Sequence, residues 1–148
     1  MKKIILLLLI VVLAACSFGA SNEFERNRQT WQSAGITHYR FELVIGCFCP
    51  FRNQMPITVE VQNEKIVSIT YPDGTLVAES DPNYKTFSQY ATIDRVFAEL
   101  ESGLAKAEKT TVTYDSTYGF PTEIHFDYII AAMDDEFSLG ISKFETLK

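Results

Sequence analysis

The sequence is 148 residues long and carries 13 Lys and Arg against 19 Asp and Glu, a formal net charge of −6. That length supports one domain with a core of its own; the acidic balance excludes nucleic acid, whose phosphates require clustered cations, and disfavours peripheral binding to anionic lipid. With 11 Phe, 7 Tyr and 1 Trp, the composition points to a core rich in sheet.

Met1-Lys2-Lys3 precedes an unbroken apolar run from Ile4 to Leu13, the pattern of an export signal. The run is shorter than the ~20 residues that span a bilayer. Leu13-Ala14-Ala15-Cys16 resembles a bacterial lipobox, which implies cleavage before Cys16 and a palmitate-type lipid on its sulfur. One acyl chain holds only marginally, at ~0.8 kcal/mol per buried CH₂, so such anchors use two or three. The alternative is an ordinary signal peptide with an incidental Cys16. On the lipobox reading, residues 1–15 are a signal peptide, residues 16–23 are the lipidated cysteine and its tether, and residues 24–148 form a single α+β domain. Loss of Lys2 and Lys3 leaves 11 cations against 19 carboxylates, a balance of −8. The membrane partner is then an anchor at Cys16. The expected location is the bacterial cell envelope. Ser17 is compatible with the periplasmic side of the outer membrane in a two-membrane host; otherwise the outer face of the cell membrane is expected.

Asn22 with Glu25 forms a capping box, and Phe24, Arg28, Trp31 and Ala34 recur at helical spacing before Gly35, a helix terminator. His38 to Pro50 follows as the central strand. Tyr39, Phe41, Leu43, Ile45, Cys47 and Cys49 share its apolar face, and Pro50 stops it. Met55 to Gln62 puts Ile57, Val59 and Val61 on one face. Gln62-Asn63-Glu64-Lys65 reads as a hairpin turn, and Val67, Ile69 and Tyr71 point inward on the return. Pro72-Asp73-Gly74 is a turn, and Thr75 to Tyr90, which has no clear period, reads as the longest loop.

Thr92 caps a second helix whose stripe is Ile93, Val96, Phe97, Leu100, Leu104 and Ala107. Three strands follow. They point Val112 and Tyr114, then Ile124 and Phe126, then Phe137, Leu139 and Ile141 inward. The fold class is therefore α+β: two helix-plus-three-stranded antiparallel meander units forming one sheet-against-helix domain, with a weak internal repeat.

Cys47-Phe48-Cys49 is the sharpest chemical feature. In an extended strand these two Cα atoms stand ~6.5–7 Å apart, the outer limit for a disulfide, so bridging requires a kink. An exported compartment is oxidising, which favours the bridge. It serves either as a staple at a strand end or, as a small strained ring, as a thiol-exchange site. Zinc needs four ligands, and the only histidines are His38, on the opposite parity, and His125, which nothing in the sequence brings near. A Cu(I) site with Met55 is the remaining metal alternative; no metal or other cofactor is expected. Asp127, Asp134, Asp135 and Glu136 near His125 read as a solvated acidic rim. Motifs of serine hydrolases, zinc peptidases and phosphate-binding loops are absent, and the chain is read as non-catalytic. In Tyr114-Asp115-Ser-Thr-Tyr118-Gly119-Phe120-Pro121, Asp115 accepts from the following amides in an Asx-type turn. The segment is either architecture or, through Tyr118 and Phe120, an aromatic contact surface.

Trp31, Tyr39-x-Phe41, Cys47-x-Cys49, Thr92-Ile93-Asp94-x-x-Phe97 and Val112-x-Tyr114-Asp115-x-x-Tyr118-Gly119-x-Pro121 together resemble the uncharacterised bacterial domain family numbered 6174 among domains of unknown function, over roughly residues 24–145. The helix-plus-meander units are more distantly similar to the PepSY domain and to β-lactamase-inhibitor repeats, mostly protease-inhibiting or protein-binding modules. The lipobox, the absence of catalytic motifs and that fold analogy together point to a lipid-anchored, non-catalytic envelope protein of uncharacterised role that binds another envelope protein or peptide, as inhibitor or accessory. The alternative is a thiol-redox or metal-handling lipoprotein using Cys47 and Cys49.

Overall fold

The computed structural model describes residues 22–132 and 135–148. The expected signal segment, Cys16 and most of the tether lie outside the described residues, as does Asp134. The first helix, α1, runs over residues 22–34 and ends at Gly35 with φ 61°, a left-handed conformation that glycine adopts without a Cβ penalty.

Six strands follow, β1 (His38–Gly46), β2 (Ile57–Gln62), β3 (Lys65–Thr70), β4 (Lys109–Tyr114), β5 (Pro121–Asp127) and β6 (Phe137–Thr146). A 3₁₀ turn (Arg52–Gln54) lies between β1 and β2, and helices α2 (Tyr84–Ser88) and α3 (Ile93–Lys106) lie between β3 and β4. All the strands form one antiparallel sheet in the order β3-β2-β1-β6-β5-β4. Among the described residues, the first and last strands are thus the central pair. The two strand triplets join edge to edge in a single layer.

Alternation along β1 buries Tyr39, Phe41, Leu43 and Ile45, the side chains that share one face of a pleated strand. They meet Ile57, Val59 and Val61 of β2, Ile124 and Phe126 of β5, and Ile93, Val96, Phe97 and Leu100 of α3 in one core. Trp31 of α1 stands edge-on to Tyr39, Phe120 and Phe144, with ring centroids 5.4, 6.0 and 5.9 Å away. The opposite face of the sheet presents Arg40, Val44, Glu123 and His125 to solvent.

Five placements differ from the sequence expectation. β1 ends at Gly46, so Cys47 and Cys49 sit in the bend beyond it. Register shifts between Glu60 and Val61, so Ile66 rather than Val67 faces the partner strand, and Val67 is exposed. An extra residue on one strand exchanges its faces. The same happens in β6, where Lys143 takes φ 49° and Phe144 turns inward against Trp31 and Tyr39. Gly103, not Leu104, completes the inward stripe of α3. The segment expected as a long loop contains α2, whose Phe87 is fully buried with its ring 5.1 Å from Phe51.

Candidate functional site

The side chains that could meet a partner gather at one end of the sheet. β1 runs into it, β5 ends there and β6 begins there, since Gly46 pairs with Ser138 and Ser138 with His125, which in turn pairs with Thr111 of β4. These four residues form one row across four strands on the uncovered face. An open cleft of about 440 Å³ lies at the row, lined also by Cys47, Phe48, Arg52, Lys109, Asp127 and Glu136.

The floor is low for a steric reason. A Cβ on Gly46 would stand 2.1 Å from Ser138 Oγ, so only glycine lets the hydroxyl lie against the strand. On the wall, the sulfurs of Cys47 and Cys49 stand at disulfide distance with Cα atoms 5.2 Å apart, within the range a bridge requires. The bend after Gly46 supplies the kink that an extended strand lacks. Both cysteines are half-buried, while Phe48 between them is 89 % exposed. An aromatic ring so fully in water is unusual, because burying one contributes about 1.5–3 kcal/mol. The Arg52 amide donates to the Cys49 carbonyl at 3.2 Å, closing a turn directly after the two cysteines.

The cleft is electrostatically mixed. Among the described residues, Arg52, Lys109, Asp127 and Glu136 form no ion pair within 4.0 Å, so two cations and two carboxylates face solvent there. His125 Nε2 lies 2.9 Å from Glu123 Oε1. No local pattern puts His125 in the cleft that Cys47 lines; the sheet register does so. His38, the other histidine, pairs with Glu60 at 2.9 Å at the far end of β1. Among the described residues no three His, Cys, Asp or Glu side chains are grouped to hold a metal ion.

The segment around Asp115 lies at the opposite end. Asp115 Oδ1 accepts from the Thr117 amide at 2.9 Å and the Tyr118 amide at 2.7 Å, the expected Asx-type turn. Phe120 is buried against Trp31 and Phe144, and Tyr118 is half-buried with its ring 5.6 Å from that of Phe144. Phe120 thus packs as the architectural alternative has it, while Tyr118 beside it is only partly covered. The sequence offered one signal for the contact that is exposed, an aromatic residue between two cysteines.

A family model of unknown function, DUF6174, matches residues 23–146. The chain belongs to the DUF6174 family. No curated protein and no solved structure matches this DUF6174 chain. Among its described residues, no helix is long and apolar enough to cross a membrane.

Proposed function

We propose that this protein is a lipid-anchored, non-catalytic component of the bacterial cell envelope that binds a segment of another envelope protein or peptide, as an inhibitor or accessory. The observation that carries the reading is Phe48, 89 % exposed between the two bridged cysteines and lining a 440 Å³ cleft. A large aromatic held in water by a short closed loop is the kind of anchor that protein interfaces bury. The mixed charges of Arg52, Lys109, Asp127 and Glu136 around it suit a polar rim.

The lipobox-like Leu13-Ala14-Ala15-Cys16 supports the anchor. Two helix-led strand triplets, distantly like PepSY and β-lactamase-inhibitor repeats, belong to the same reading. The test is site-specific photocross-linking in cells, with the photoreactive residue placed at position 48 or at position 67, whose side chain is also exposed but lies on the far edge strand β3. A discrete adduct from position 48 and none from position 67 is expected. Equal labelling from both positions, or none from position 48, would contradict the proposal.

A further inference from the structure

We infer that the Cys47–Cys49 bridge exchanges with a dithiol carried by an exported protein segment docked in the adjoining cleft. The inference goes beyond binding and rests on that reading only for the docking of the segment. Three observations carry it. Cys47 itself lines the cleft, so an attacking sulfur reaches it from the space where a partner would lie. Both cysteines are part-exposed rather than enclosed, and exposed bridges are the labile ones. The bridge spans a sequence separation of 2, and stabilisation by a disulfide grows with the length of chain it closes, so this one restrains little of the fold.

The exchange balances without a further reagent. A partner thiolate attacks Cys47 Sγ; the Cys47–Cys49 bond breaks as the mixed disulfide forms, and Cys49 leaves as a thiolate. The partner's second thiolate then attacks its own sulfur in the mixed disulfide and releases Cys47. The partner is oxidised by two electrons to its disulfide, the bridge is reduced by the same two, and the two protons of the partner's thiols end on Cys47 and Cys49. Arg52, whose amide closes the turn on the Cys49 carbonyl and which lines the cleft with Cys47, is the cleft cation nearest in sequence to the leaving Cys49. A nearby cation favours a departing thiolate. Phe48 and Phe137, both on the cleft wall, provide apolar contact for residues flanking the partner's cysteines.

The test mixes the oxidised full chain, in detergent at neutral pH, with a synthetic extended peptide holding Cys-Gly-Gly-Cys between apolar residues, and follows both partners by mass. The expected result is one peptide disulfide formed per bridge opened, at a rate at least 100-fold above that of glutathione disulfide with the same peptide. Arg52→Gln should slow the exchange at least 3-fold, with the opening of the bridge by dithiothreitol slowed in parallel. A bridge that stays closed, or opens no faster than glutathione disulfide, overturns the inference. Photocross-linking from position 48 with both cysteines in place and bridged separates the two readings, because a cross-link there needs docking and no sulfur chemistry: an adduct without peptide oxidation overturns the exchange and leaves the docking standing.

Discussion

Tyr39 joins the sheet to a helix through one side chain. Its ring packs between Trp31 and Phe41 in the core, and its hydroxyl oxygen accepts the Ile93 amide at 3.2 Å, one of the donors that the first turn of α3 cannot satisfy within the helix. Burial pushes the Tyr39 phenol up to about 12, and Tyr114 likewise. A raised pKa means that the unfolded chain releases a proton near pH 10 while the folded chain still holds it. The stability this contributes is complete below pH 10 and is lost as pH rises towards 12. Tyr39→Phe should therefore lower stability at pH 7 by about 1–3 kcal/mol, the cost of a buried amide left unpaired, yet reduce the further loss between pH 7 and pH 11. Urea unfolding at the two pH values measures both; a variant with the wild-type alkaline loss would contradict the assignment.

At the scale of elements, the contact of α3 with β5 is set by Gly103. Helix propensity alone favours alanine there by about 0.8–1 kcal/mol. The structure reverses the sign, because a Cβ at this position would lie 1.9 Å from the Phe126 ring, and overpacking of a filled core costs about 1–3 kcal/mol. Gly103→Ala is expected to lower stability by about 1 kcal/mol or more in urea unfolding; a stabilised variant would show that the helix stands further from the sheet.

The same scale explains what could be read in advance. Alternation over Tyr39 to Ile45 and the stripe Ile93, Val96, Phe97 and Leu100 were legible because each residue's face follows from its place in a regular element. The bulges at β3 and β6 were not, since neither contains a glycine or proline to mark the extra residue, and a slip by one sends Val67 out and Phe144 in. Phe87 was hidden in a polar segment for a similar reason: one buried ring in a five-residue helix leaves no period to detect.

Across the whole molecule, the site is a product of topology. Gly46, Thr111, His125 and Ser138 are far apart in sequence, and only the pairing of β1 with β6, and of β5 with both β4 and β6, puts them in one row. No local pattern announces such a row. What the sequence did announce was the Cys47-Phe48-Cys49 segment, though as the end of a strand rather than as the bend beyond it. A bridge closing so short a loop is worth ~1.5 kcal/mol on the chain-entropy scale, against ~3 for a 15-residue loop. The bridge therefore shapes the cleft wall more than it stabilises the fold. The most direct measurement is the intact mass of the full chain after alkylation under non-reducing conditions. No label on Cys47 or Cys49 and a mass two hydrogens below the dithiol are expected, with both sites labelled only after reduction. Two labels without reduction would contradict the bridge, leaving Phe48 on an open loop and the cleft without its closed wall.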